Sequence, residues 1–358
     1  MDTQFKTALS QVCTGDNAVA LITVIRVKGS TPRKPGAKMI IMPDGQIFGT
    51  IGGGCGEAEV KREALDALAT LTPTKYTVNM TNDMALEEGM VCGGIMEVFI
   101  DILGPGADEG KTLINDYLAA INNNELPVLL TITGSANPAA VSQRLYVTSS
   151  GHVFGVPVSG QLSGQTRQLV EKVRSERKAY LLEEPDLELF VEPPPSLVKL
   201  IILGGGHIAK PLALMGKMLD YHVTVVDDRP AFANSSRFPT ADCIICGDFT
   251  QSLQSMDITP ETFIVIVTRG HRHDKLCLLQ VITKPAAYIG MIGSRRRVKT
   301  LMTDLRESGI PEKYLQKINS PIGLDIRAET PEEIAVSILS EIISVYRGGS
   351  AQSLKPDR

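Results

Sequence analysis

Leu203-Gly204-Gly205-Gly206-His207-Ile208-Ala209 constrains the fold more than any other stretch of the chain. It follows the apolar run Lys199–Leu203 and opens a segment in which Ile208, Leu212, Met215 and Leu219 recur at helical spacing, giving one buried stripe. A strand, a glycine turn and a helix in direct succession form the first half of a βαβ unit. Further strands are expected at residues 222–226, 243–245 and 263–267, with helices from about residue 274 onward. The order predicts a mostly parallel, doubly wound sheet. A last helix opens at Thr330-Pro331-Glu332-Glu333, an N-cap followed by proline and two acids, and carries Ile334, Ile338 and Ile342. Its apolar residues run around much of the surface, which predicts burial on more than one side.

Three successive prolines, Pro193-Pro194-Pro195, separate this half from the preceding one, because they favour an extended spacer over helix or sheet pairing. The division expected is residues 1–191 as an N-terminal module, 192–196 as linker, 197–350 as the parallel-sheet domain and 351–358 as a tail. The chain of 358 residues is 43% hydrophobic, ample for two cores. Its formal net charge of −4 conceals a split: from Ser196 onward there are 20 Lys and Arg against 17 Asp and Glu, and before it 16 against 23. A mildly basic C-terminal half suits a small phosphate-bearing ligand better than a nucleic-acid duplex. No apolar stretch approaches the roughly 20 residues that span a bilayer. The N-terminus lacks a secretory pattern, so a cytoplasmic location is expected. Six dispersed cysteines do not form a disulfide framework, and a special cysteine would be reactive or ligating.

The N-terminal half reads as α+β. A strand at residues 19–27, a hairpin of 37–42 and 46–48 around Pro43-Asp44-Gly45, a helix at 57–68 and a strand at 96–103 are predicted. Residues 104–190 carry further element signals but no chemical motif. No internal repeat is visible.

Two glycine loops meet helix N-termini, where free N–H groups and a partial positive charge favour anions. Gly204 to Ala209 fits the dinucleotide pattern G-x-G-x-x-G/A in its required context, and Asp227 supplies the acid expected about 20 positions on. The fold alone does not prove that a nucleotide binds. Gly52-Gly53-Gly54-Cys55-Gly56-Glu57 places a cysteine where a thiol pKa is lowered, the alternative being a tight turn with a small buried cysteine. Gly89-Met90-Val91-Cys92-Gly93-Gly94 repeats the pairing of cysteine and glycine; a packing cysteine ahead of a strand is its alternative. Ser30, Thr31 and Arg33 lie in a loop of hydroxyls, cations and turn formers that suits either an oxyanion or solvent. Ser294 can cap a helix whose Arg295, Arg296 and Arg297 reach anions or water. His271, His273 and Asp274 offer metal-ligand types without a partner cluster, so placing a ligand at the sheet edge is their better use. Cys243 and Cys246, three apart on a strand, face opposite sides and read as core.

Val27-Lys28-Gly29-Ser30-Thr31-Pro32-Arg33, Gly49 to Gly54 with Glu57, and Val91-Cys92-Gly93-Gly94 resemble the N-terminal module of the XdhC/CoxI family. Gly204 to Ala209, Val267 to Asp274, Gly290 to Arg297 and Pro321 to Ala335 resemble its C-terminal Rossmann module. The resemblance implies an accessory factor for xanthine dehydrogenase and related molybdenum hydroxylases. Such a factor binds the molybdenum cofactor, as molybdopterin or its cytosine dinucleotide, and protects it while a cysteine desulfurase supplies the sulfido ligand. It then passes the cofactor to the apo-hydroxylase. The cofactor-contacting positions implied are Ser30, Thr31, Arg33, Gly52, Gly53, Gly54, Cys55, Glu57, Cys92, Gly93 and Gly94. In the Rossmann module they are Gly204, Gly206, His207, Asp227, His273, Ser294 and Arg295. Cys55 and Cys92 are the candidates for contact with molybdenum or for sulfur relay. Arg269-Gly270 interrupts the family's more usual Thr-His-x-His pattern, and many members lack the cysteine at the position of Cys55. Two other readings compete: an NAD(P)-dependent oxidoreductase, although no Tyr-x-x-x-Lys or similar proton-transfer set is visible, and a nucleotide-sensing regulator. A homodimer is a weaker expectation.

Overall fold

The computed structural model describes residues 3–15, 17–80, 93–104, 108–123, 125–155, 163–195 and 198–354. They form two compact units, Met1–Pro195 and Ser196–Arg358. The first is α+β and antiparallel; the second is a parallel α/β sheet. No helix among the described residues is long and apolar enough to cross a membrane.

The first unit begins with α1 (Thr3–Thr14), β1 (Val19–Lys28), β2 (Lys38–Ile41), β3 (Ile47–Gly49), α2 (Gly54–Thr70), β4 (Thr74–Asn79) and β5 (Ile95–Leu103). It continues with α3 (Asp108–Asn122), β6 (Val128–Ser135), β7 (Arg144–Val147), β8 (Val153–Gly155), α4 (Gly164–Glu176), β9 (Tyr180–Glu184) and β10 (Leu187–Glu192). The second set repeats the order of helices and strands of the first, with an added 3-10 turn, Pro138–Ala140, between β6 and β7. The two sheets have the orders β3-β2-β1-β5-β4 and β8-β7-β6-β10-β9, so each strand of one has its equivalent five strands later. No repeat is visible in the sequence, yet the structure contains one.

The registers align the two copies residue by residue. Thr23 on β1 faces Lys38 and Phe99, and Leu21 faces Asp101; Thr131 on β6 faces Arg144 and Phe190, and Leu129 faces Glu192. Both pairings are interrupted by a bulge at the same place, Ile25 in one copy and Thr133 in the other. The equivalent charges then cross over. Lys38 of the first copy pairs with Glu192 of the second at 2.8 Å, and Arg144 of the second pairs with Asp101 of the first. Thr23, Thr131, Lys38, Arg144, Phe99 and Phe190 line the cavity between the sheets, three from each copy. Burial pulls the Arg144 guanidinium down, to about 10, with Glu192 opposing the shift. Elsewhere each sheet packs its own helix, α2 over Ile22, Val24 and Ile100, and α4 over Leu130, Ile132 and Val191.

The second unit contains β11 (Lys199–Leu203), α5 (Ala209–Met218), β12 (His222–Asp227), β13 (Cys243–Cys246), α6 (Phe249–Ser255), β14 (Thr262–Ile266), α7 (His271–Val281), β15 (Tyr288–Met291), α8 (Arg295–Glu307), α9 (Glu312–Leu315), β16 (Ile318–Asn319) and α10 (Pro331–Arg347). Its strand order, β13-β12-β11-β14-β15-β16, is 3-2-1-4-5-6, and every pairing is parallel. That is the Rossmann arrangement, with its switch point between β11 and β14. The central strands are fully buried apolar runs because helices cover both faces. Thr330 and Glu333 form a capping box at the start of α10, and Gly348 closes its other end in the left-handed region. α10 buries one face through Ala335, Ile338 and Ile342 but leaves Val336, Ile343 and Val345 exposed, so burial on several sides is not observed.

The crossed ion pairs generate a test. Arg144→Met leaves Asp101 buried without its cation, and unfolding of the intact protein in urea is expected to show a loss of about 3–5 kcal/mol. The double variant Arg144→Met/Asp101→Leu is expected to recover a substantial part of that loss.

Candidate functional site

In the first unit, the loops singled out in the sequence converge at one end of the first sheet. A Cβ on Gly52 would lie 2.3 Å from Pro32 Cγ, and one on Gly94 would lie 2.4 Å from the carbonyl oxygen of Ser30. Glycine at these positions lets the loop after β1 approach both the loop before α2, through the Pro32 ring, and the segment just before β5, backbone to backbone. Gly53 and Gly54 have φ of 73° and 69°, and no atom lies within 4 Å of where their Cβ atoms would be. Their faces therefore look onto open space. α2 starts there with no side-chain cap, so its N-terminus is available to an external acceptor.

Glu57 holds this loop in shape. One of its oxygens accepts from the Thr50 hydroxyl at 2.7 Å, from the Gly53 amide at 3.0 Å and from the Ile51 amide at 3.2 Å. Thr50 in turn accepts from the Gly52 amide at 3.0 Å. The sequence marks Glu57 as a ligand contact; the geometry makes its carboxylate an internal brace. Ser30 and Arg33 are exposed, and the Thr31 hydroxyl closes its turn by donating to the Arg33 carbonyl at 3.0 Å. Cys55 is half-buried in the first turn of α2. Gly93 and Gly94 join the cluster, whereas Cys92 lies outside the described residues. No group of three or more His, Cys, Asp or Glu able to hold a metal occurs among the described residues.

In the second unit, the predicted residues gather at the carboxyl edge of the parallel sheet. Each glycine of the loop has its own reason. Gly204 has φ of 110°, and its Cβ would lie 2.5 Å from the Val267 carbonyl at the switch point. Gly205 would meet the Phe232 carbonyl at 2.3 Å. Gly206 has neither constraint: it is absent from the positive-φ set, and nothing lies within 4 Å of its Cβ position. Ala209, fully buried, takes the third position of the pattern, where α5 packs on the sheet. His207 and Arg295 are exposed, Ser294 caps α8 by accepting from the Arg297 amide, and the His273 ring packs edge-on against Phe249 at 5.5 Å.

Asp227 is buried, and both its oxygens are occupied. Oδ2 accepts from the Gly205 amide at 2.7 Å and from Arg229 Nη2 at 2.9 Å; Oδ1 accepts from Arg229 Nε at 2.8 Å and its amide at 3.0 Å. Burial alone would raise its pKa, but these donors outweigh it and hold the carboxyl below its usual range. Two connected features are missed by sequence reasoning. Arg269 pairs with Asp228 at 3.0 Å, and Asp274, fully buried, binds both the Thr268 hydroxyl and Arg297. The adjacent acids Asp227-Asp228 with Arg229 are the only sequence signal for the first; nothing in sequence order announces the second.

A carboxyl whose folded pKa is depressed stabilises the fold fully above the ordinary carboxylate range and loses that contribution as pH falls through its lowered value. Asp227→Asn is accordingly expected to cost about 1.5–3 kcal/mol near neutrality. Thermal unfolding from pH 7 to pH 2 checks it, with the gap between parent and variant narrowing at the acid end.

Comparison with known proteins finds a family match in each of the two units. The model of the XdhC and CoxI family matches residues 14–79, and that of the XdhC Rossmann domain matches residues 200–342. The chain is 28% identical over 346 residues to a Bacillus subtilis strain 168 protein described as a probable xanthine dehydrogenase subunit, covering 96% of this chain and 98% of that protein. It is 24% identical to the molybdenum cofactor insertion chaperone PaoD of Escherichia coli K12, over 94% of this chain and 86% of that one. It is 26% identical over 91% of its length to the E. coli K12 protein YqeB, described as uncharacterized, but spans only 43% of that longer protein. Among solved structures, one described as a xanthine dehydrogenase from Bacillus halodurans matches with a TM-score of 0.74 and 27% identity over 97% of both chains. The two family matches together span more than half of the sequence, in the order of the two folded units, and the chain belongs to the XdhC/CoxI family.

Proposed function

We propose that the protein is a maturation factor that binds the molybdenum cofactor as cargo, shields it during sulfuration by a cysteine desulfurase, and delivers it to a xanthine dehydrogenase-type apo-hydroxylase in the cytoplasm. The observation that carries this reading is the cradle of the first unit, in which three backbone-rich loops meet around Gly53 and Gly54 and leave space above them. A pterin phosphate needs amide donors, which the uncapped start of α2 provides. A molybdenum–sulfur centre favours soft ligands, and Cys55 stands in the first turn of the same helix. The names of two relatives, one a molybdenum cofactor insertion chaperone and one a probable xanthine dehydrogenase subunit, support the same assignment.

Within this proposal Ser30, Thr31, Arg33, Gly52, Gly93 and Gly94 shape the cradle, Gly53 and Gly54 admit the cargo, and Glu57 keeps the loop open. Cys55 and Cys92 are the thiols offered to the metal end. Molybdopterin and its cytosine dinucleotide share the terminal chemistry that the cradle would meet.

Anaerobic mixing of the purified protein with molybdenum cofactor, followed by gel filtration and metal analysis, is expected to give about one molybdenum per chain and a complex that activates apo-hydroxylase. Absence of a stoichiometric complex overturns the proposal. Gly54→Val, which fills the open space and strains a left-handed position, is expected to weaken the complex at least about tenfold, a loss of about 1.4 kcal/mol. Unchanged cofactor retention and hydroxylase activation in Cys55→Ala and Cys92→Ala would remove the thiols from the assignment.

A further inference from the structure

The lip of the Rossmann sheet carries a cluster of acids and arginines around a glycine loop that the cargo cradle does not use. In dinucleotide folds, the acid at the end of the second strand receives the ribose 2′-hydroxyl of an adenosine, whereas a nearby arginine receives a 2′-phosphate. The two cases demand different things of the acid. To hold a hydroxyl it needs a free lone pair facing the ligand.

Asp227 has little to offer in that role. Its two oxygens take four donors, three of them from Arg229, and the residue is 1% exposed. Arg229 covers the carboxylate, its guanidinium lying 3.6 Å from the centre of the Phe232 ring, and keeps 26% of its own side chain open to solvent. The next acid, Asp228, is held by Arg269 at 3.0 Å, and Arg269 is half exposed. Arg237 donates through Nε to the carbonyl of Gly205, inside the glycine loop, while its buried Nη2 has no partner. Two acids and three arginines thus surround the loop, a local excess of one positive charge. On the same edge, Gly206 leaves an opening that the protein's own packing does not require, at the position where backbone must approach a pyrophosphate.

We propose that this edge binds an adenine dinucleotide carrying a 2′-phosphate, the NADP(H) class, in preference to one with a free 2′-hydroxyl. The pyrophosphate lies over Gly206 and the start of α5, and the phosphomonoester meets Arg229 and Arg269. Planar guanidinium groups suit such a phosphate because they donate in pairs. Sequence order alone suggests the opposite specificity, since an acid at position 227 reads as a ribose-hydroxyl partner. The arginine two residues later reverses it by occupying the acid.

The proposal is independent of cargo binding and is tested on the full chain without molybdenum cofactor. Titration with NADPH and with NADH, followed by nicotinamide fluorescence and calorimetry, is expected to show NADPH binding at least about tenfold more tightly. Arg269→Ala, at a half-exposed site whose loss the fold tolerates, is expected to erase most of that preference; Arg229→Ala is expected to do the same if its thermal unfolding stays cooperative. Adenosine 2′,5′-bisphosphate is expected to compete with NADPH, and adenosine 5′-monophosphate to compete more weakly by a similar factor. Equal affinity for the two dinucleotides, tighter NADH binding, no binding of either, or a preference that survives Arg269→Ala overturns it. A failure here leaves the molybdenum complex untouched, and a failure of that complex leaves this titration untouched.

Discussion

Two buried ion pairs, Lys38 with Glu192 and Arg144 with Asp101, tie the two halves of the N-terminal unit together. Each half contributes one cation and one acid, and neither pairs within its own half. A buried charge without its partner costs several kcal/mol, so neither sheet can bury this face alone with its charges satisfied. The crossing also fixes register. A one-residue slip of β5 or β10 would turn Asp101 or Glu192 to the opposite face of its sheet and strand the facing cation. Apolar contact between Ile25, Phe99 and Phe190 supplies packing at the same seam, but apolar contact is not directional and would tolerate several registers. The ion pairs select one.

Because the two halves share a topology, the places where they differ show what is particular to each. The connection between β4 and β5 occupies residues 80–94, whereas its equivalent between β9 and β10 is the two-residue turn 185–186. α2 starts from left-handed glycines with no side-chain cap; its equivalent, α4, starts from Ser163, whose hydroxyl accepts from the Thr166 amide in the ordinary way. The second copy has closed the helix end that the first leaves open. The loops that resemble the XdhC/CoxI pattern thus lie on one copy of a duplicated scaffold, and the other copy supplies the face against which that scaffold is buried.

The C-terminal fold was legible because its signals are local. Parallel strands covered on both faces are continuous apolar runs, and a glycine turn between a strand and a helix has few alternatives. The capping box at Thr330 and the N-cap at Ser294 were readable for the same reason. The duplication was not. Identical equivalent residues are few and scattered, among them Leu21 and Leu129, Thr23 and Thr131, Phe99 and Phe190, Glu97 and Glu188, and Phe48 and Phe154; the crossing ion pairs keep their sign but not their residue type, Lys38 against Arg144 and Asp101 against Glu192. The offset between copies falls from 108 residues at Thr23 and Thr131 to 91 at Phe99 and Phe190, as the loop lengths differ. A search for a fixed period meets no period. Strand registers reveal the repeat because they record pairing across the sheet, which loop length does not alter.

For the candidate site, sequence shows which residue types stand beside the glycine loops but not what their side chains touch. In the sequence Glu57 and Asp227 both read as ligand contacts, because an acid beside a glycine loop can serve that purpose, yet sequence order does not say whose protons reach its oxygens. In the structure each acid is turned inward onto its own loop, Glu57 onto the amides of Ile51 and Gly53, and Asp227 onto the amide of Gly205. The device answers a physical difficulty. Glycine loops lose more conformational entropy on ordering than any others, and a loop that must be ordered afresh on each binding event gives up affinity. A carboxylate that accepts backbone amides orders the loop in advance, through charge-assisted hydrogen bonds stronger than neutral ones. Asp227, with both oxygens occupied, has in addition little left to offer an outside donor, whereas Glu57 uses only one of its two oxygens on the loop. What is left facing outward is the open backbone at Gly53, Gly54 and Gly206 and the solvent-accessible arginines, the groups on which the two proposals of phosphate recognition rest.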